Sequence, residues 1–97
     1  MEYFYHPAAV AEYGKAVEYY KEISAAIARQ FVQNVERAVS LIVDQPNACT
    51  KISRNVRRCI IANFPYSIFY SEFEKRIIIV AVAHQKRRPN YWKRRKP

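Results

Sequence analysis

Glycine is almost missing from this chain: its 97 residues contain one, Gly14. A loop that cradles phosphate needs several glycines so that backbone N–H groups can close on the anion, which excludes P-loop and dinucleotide-binding designs. Cysteine is scarce as well. Cys49 and Cys59 have no second Cys or His at metal-ligand spacing, and His6 and His84 are far apart in the chain, so no metal site is expected and no cofactor is called for. No apolar run approaches the ~20 residues of a membrane span. The start, Met1-Glu2-Tyr3-Phe4-Tyr5-His6-Pro7, lacks the basic-then-apolar layout of a signal peptide. These absences predict a cytoplasmic protein without membrane contact, its cysteines free thiols. Cys59 lies in a strand-like run and reads as a small core hydrophobe, whereas Cys49 follows Pro46-Asn47 in a loop.

The last absence is of acid at the C-terminus. Residues 86–97 carry seven positive charges and no Asp or Glu, so most of the net charge of +9 sits there. Tyr91 and Trp92 are embedded in this tail. Such a basic, aromatic-bearing segment suits a polyanion or an acidic protein, although Lys/Arg-rich termini also occur as mere solvated ends. The rest of the chain is nearly balanced, and 51% of the residues are hydrophobic, which argues for one ordered domain over residues 1–97.

Glu2 to Tyr5 reads as a short edge strand stopped by His6-Pro7, and proline suits the first turn of a following helix. From Ala8, the residues Ala9, Tyr13, Ala16, Tyr20 and Ile23 recur at spacings of four and three, with Glu12, Lys15, Glu18 and Glu22 largely on the other side. That is an amphipathic helix. A second series, Ala28, Phe31, Val35, Ala38 and Ile42, follows Ser24 and ends at Asp44-Gln45-Pro46-Asn47. Periodicity alone permits one rod from Ala8 to Val43. A chain this small could not cover such a rod, so a hairpin bent at Ser24 is expected.

The period then shortens. Val56 to Ala62 and Tyr66 to Phe73 are joined by Asn63-Phe64-Pro65, and Ile77 to Ala83 follows Glu74-Lys75-Arg76. Links this short demand antiparallel neighbours. The continuous apolar run at Ile77 to Ala83 predicts a central strand covered on both faces. The expected fold is α+β, order β-α-α-β-β-β, a helical hairpin on a small, mainly antiparallel sheet of three or four strands, with the basic tail leaving the last strand.

Four short motifs, in this order, carry a resemblance: Arg57-Arg58; Phe64-Pro65-Tyr66-Ser67-Ile68 with Tyr70; Ala81-Val82-Ala83-His84; and Arg87-Arg88-Pro89 with Tyr91-Trp92. With Tyr19-Tyr20, Ala28, Phe31 and Pro46, they resemble the RelE/ParE superfamily of toxins from type II toxin–antitoxin systems, in its ParE-like, plasmid-stabilisation branch. The resemblance implies a toxin held by a cognate acidic antitoxin in a hetero-oligomer. It also implies one of two targets, since one fold hosts both activities. RelE-like members cut messenger RNA on the ribosome with basic side chains and no metal; ParE-like members bind DNA gyrase.

Measured against the RelE pattern, Arg58 and Tyr91 match positions of a catalytic base-bearing site, but Ile60, Ser67 and Gln85 stand where basic residues are expected. Serine cannot supply the permanent charge with which arginine stabilises a phosphorane. The resemblance therefore implies gyrase binding, causing growth arrest, and assigns no catalytic residue. A residual ribonuclease route runs through Arg58, His84 and Tyr91. A third reading is a non-toxic basic nucleic-acid-binding module. Candidate contacts to a partner or nucleic acid are Arg57, Arg58, Arg87, Arg88, Tyr91, Trp92, Arg94 and Arg95, residue types that dominate binding hot spots. Arg57 and Arg58, adjacent in a strand, should face opposite ways. His84 is either an acid–base group near neutral pH or a capping residue, and Tyr66 and Tyr70 read as core.

Overall fold

A computed structural model describes residues 1–95. Strand β1 (Glu2–Tyr5) is followed by helices α1 (Pro7–Ile23) and α2 (Ala25–Asp44). Strands β2 (Thr50–Lys51), β3 (Arg57–Ile60), β4 (Tyr66–Phe73) and β5 (Arg76–His84) complete the chain. His6 caps α1: its Nδ1 accepts from the Ala8 N–H at 3.0 Å, and Pro7 occupies the first turn, where no donor is missed. The bend falls at Ser24, as the sequence predicts. Extended at φ −167°, it donates its N–H to Tyr20 C=O, ending α1, and its Oγ accepts from Ile27 N–H at 3.0 Å, starting α2. One residue thus caps both helices.

The helices form one layer, the sheet the other. Ala28, Phe31, Val35, Ala38 and Ile42 of α2 are all buried, together with Ala9, Ala16 and Tyr20 of α1. Phe31 centres an aromatic cluster, its ring 5.0 Å from Tyr20, 5.1 Å from Phe64 and 5.3 Å from Tyr66. Tyr70 is buried and donates to Pro46 C=O at 2.7 Å. Asn34, the buried polar side chain of α2, donates to Ala62 C=O at 2.8 Å, tying the helix to the β3–β4 turn. Ile23 departs from the helical pattern: expected on the apolar face, it sits at the bend and is exposed.

The sheet has five strands in the order β1-β5-β4-β3-β2, one or two more than expected because of two-residue β2. β3, β4 and β5 are antiparallel neighbours, as their short links require. β1 lies at an edge and pairs parallel with β5, which the two helices make possible by returning the chain between them. β5 is therefore central. A bulge opposite Phe69 and Tyr70 leaves Val80 as an extra residue. Val80 joins Ala81 and Trp92 in a second cluster on the face away from the helices. The tail is what covers this second face. No helix among the described residues is long and apolar enough to cross a membrane.

Candidate functional site

β3 and β4 alternate across the sheet, so Arg58 and Phe69, which pair in register, point away from the helices, while Cys59 and Ile68 point towards them. On the outer side, the chain leaves His84, turns at Gln85–Arg87 and folds back across the sheet. Gln85 N–H donates to Pro65 C=O at 2.8 Å and Arg87 N–H to His84 C=O at 2.9 Å. Asn90 takes a left-handed conformation, φ 64°, tolerable for an asparagine. Trp92 then lands on the sheet, its ring 5.4 Å from that of Phe69 and 5% of its surface exposed.

A polar clamp fixes the tail. Residues 80–84 of β5 extend past the end of β1, whose register stops at Tyr5 opposite Ile79, so this stretch has an open edge. Glu12 and Arg95 occupy it. Glu12 Oε1 accepts from Val82 N–H at 3.0 Å, and Arg95 donates to Val80 C=O at 2.8 Å. The two side chains bond each other twice, both at 2.9 Å, and Tyr91 OH donates to Glu12 Oε2 at 2.7 Å. Burial alone would raise the Glu12 carboxyl, but the hydrogen bonds from Arg95, Tyr91 and Val82 outweigh it and hold it below its ordinary value. Burial, then the Glu12 hydrogen bond, push the Tyr91 hydroxyl upward. The Arg95 guanidinium is raised chiefly by its bond to Glu12. Helical spacing alone puts Glu12 on the solvent side. It faces inward because two unpaired backbone groups of β5 and a tail cation meet there.

The tail encloses a groove of about 300 Å³ lined by Arg58, Ser67, His84, Gln85, Arg87 and Arg88, with Phe69 and Trp92 among its apolar walls. Of the sequence-nominated residues, the structure thus brings Arg58, His84, Arg87, Arg88, Tyr91 and Trp92 together. Arg87 lies with its guanidinium carbon 3.9 Å from the Tyr91 ring centroid, a cation–π contact that orients it along the groove wall. Three other nominees lie elsewhere. Arg57 is on the helix side, donating to the carbonyls of Cys49 at 2.9 Å and Asn47 at 3.3 Å. Arg94 is exposed and does not line the groove. Arg95 is engaged in the clamp.

Chemically the groove is a cationic trough with a restricted set of proton-transfer groups. His84 Nδ1 accepts from Lys86 N–H at 3.0 Å, which places the proton of the neutral ring on Nε2 and gives His84 a turn-capping part. Tyr91 has its hydroxyl committed to Glu12. Ser67 and Gln85, two of the uncharged replacements, line the trough itself, whereas Ile60 is exposed outside it. Among the described residues, no three His, Cys, Asp or Glu side chains gather as a metal site.

The chain matches the family described as ParE toxin of type II toxin–antitoxin system, parDE, over residues 3–89. The Tyr91 and Arg95 half of the clamp lies beyond that span. A solved structure described as the chromosomal ParDE TA system from P. aeruginosa shares the fold: TM-score 0.74 and 19% identity, covering 87% of this chain and 95% of that one. No curated protein matches the chain.

Proposed function

This chain belongs to the ParE toxin family of type II toxin–antitoxin systems, and on that premise we propose that it is a toxin that binds DNA gyrase and is neutralised by a small acidic antitoxin. The observation that carries the choice of target is the lining of the trough. At Ser67 and Gln85 it lacks the cations that metal-free RNA cleavage requires, and its tyrosine is tied to Glu12. What remains, Arg58, Arg87 and Arg88 over an apolar floor, suits recognition of an acidic protein or DNA surface better than attack on one phosphate.

The antitoxin part rests on charge and on exposed apolar surface. A net charge of +9 favours an oppositely charged clamp. Tyr19, Ile23 and Ile27 are exposed around the helical bend, a surface for an amphipathic segment. Such a segment would run on across the sheet to cover the basic trough. Cytoplasmic residence follows from both proposed partners.

Purified chain added to gyrase should abolish supercoiling, with Arg87→Ala and Arg88→Ala weakening the effect and antitoxin reversing it. Expression in bacteria should arrest growth, which a passive nucleic-acid-binding module would not do. A second reading, mRNA cleavage on the ribosome, is favoured by one arrangement: Arg58 and His84, its Nε2 bearing the proton, share the trough. Site-specific cuts in translated mRNA that vanish in Arg58→Ala, with gyrase unaffected, would replace the gyrase proposal.

A further inference from the structure

β2 and β3 pair antiparallel, Thr50 opposite Arg58 and Lys51 opposite Arg57. Cys49 directly precedes β2, where one further step of that register would set it against Cys59, and its side chain does lie beside the Cys59 thiol. Alternation sends Arg58 outward and Cys59 inward, where it is buried, and Cys49 packs against the same core cluster. Both thiols therefore face the core side, next to each other. Opposed residues of an antiparallel pair hold their Cβ atoms about 4.5–5.5 Å apart, close to the roughly 3.5–4.5 Å that a disulfide needs. The segment bearing Cys49 is also held in place. Arg57 donates to the Cys49 and Asn47 carbonyls, and Tyr70 to that of Pro46.

We infer that Cys49 and Cys59 form a modification site, a cross-strand dithiol that reacts with a low-molecular-weight disulfide of the glutathione class and closes to an intramolecular disulfide. The inference is independent of the gyrase proposal. The two thiols have different parts. Cys49 is half-buried at the loop end and is the less enclosed of the two, whereas Cys59 is buried, and that burial with Cys49 alongside pushes its thiol up to about 12. Cys49 loses its proton and its thiolate attacks one reagent sulfur. The reagent S–S bond breaks, one thiolate leaves, and a mixed disulfide forms on Cys49. Cys59 then loses its proton and attacks the Cys49 sulfur, expelling the second reagent thiolate. Two protein thiols are oxidised and one reagent disulfide is reduced to two thiols, which take up the two protons. The new bond closes a loop over residues 49–59 and fastens the segment after α2 to β3, where two-residue β2 is otherwise the shortest pairing in the sheet.

The test uses the folded, reduced full chain incubated with oxidised glutathione, followed by alkylation of free thiols, intact mass measurement and peptide mapping. The expected product has lost two hydrogens, retains no glutathione and yields a peptide linked between Cys49 and Cys59. Its rate of closure should not depend on protein concentration. Cys59→Ala should instead accumulate glutathione on Cys49, while Cys49→Ala should leave Cys59 unreacted until urea unfolds the protein. Circular dichroism checks that each variant is folded, and the wild-type product is decisive without them. Glutathione stably retained on wild-type Cys49, two thiols still open to alkylation, or a disulfide only between molecules would each overturn the inference.

Discussion

Replacing Glu12 by Gln tests whether the tail is held by the clamp. The exchange keeps size and one acceptor but removes the charge that Arg95 grips twice, with only 14% of the Glu12 side chain and 16% of the Arg95 side chain exposed. Breaking a buried pair by removing one partner costs about 3–5 kcal/mol, because the other charge is left uncompensated. Slight exposure here and the retained amide oxygen reduce that to roughly 2–3 kcal/mol. For a domain of this size each kcal/mol moves Tm by about 4–8 °C, so a fall of roughly 10–20 °C is expected. Trp92, the one tryptophan, is buried three residues before Arg95 and serves as a local probe. Its emission should shift to the red and become open to quenchers in Glu12→Gln under conditions where the helices persist by circular dichroism. Arg95→Gln should behave alike, and the double variant should be about as stable as either single one, a coupling of about 2 kcal/mol. Single effects within about 0.5 kcal/mol, the usual range for surface changes, with unchanged Trp92 emission, would refute the clamp as the device that docks the tail.

The same pair sets a pH dependence: with the Glu12 pKa lowered on folding, its stabilisation is full above the ordinary value of 4.5 and is lost as pH falls through the lower folded value. Urea midpoints of wild type and Glu12→Gln should therefore converge in acid. Gly14 lies in exposed helix with nothing within 4 Å of an added Cβ, so Gly14→Ala should raise stability by about 1 kcal/mol, read as a higher urea midpoint. Lys75, at φ 61° in the tight β4–β5 turn, should gain about 1 kcal/mol as Lys75→Gly, and a lower midpoint would contradict the strain assigned to that turn. Phe31→Ala, at a fully buried position, should lose about 3–5 kcal/mol and leave the chain largely unfolded by thermal scan.

The helical hairpin, its bend and the β3–β4–β5 meander were legible in the sequence because each depends on local chemistry. Apolar spacing marks α1 and α2, Ser24 can serve one helix as terminator and the next as cap, and links of two to five residues leave no choice but antiparallel pairing. The continuous apolar run of β5 likewise announced burial on both faces. The sequence could not say what would cover the second face. Composition marked the whole tail as a surface for a polyanion or an acidic partner, since seven charges dominate it. Tertiary structure divides those residues: Trp92 and Arg95 are drawn into the fold by an apolar sheet face and an unpaired strand edge, while Arg87 and Arg88 remain to line the trough with Arg58. Glu12 escaped detection for the same reason. A carboxylate on a helix reads as solvated until a partner 83 residues away in sequence is placed beside it, and only the folded chain brings that cation and the open backbone of β5 to one point.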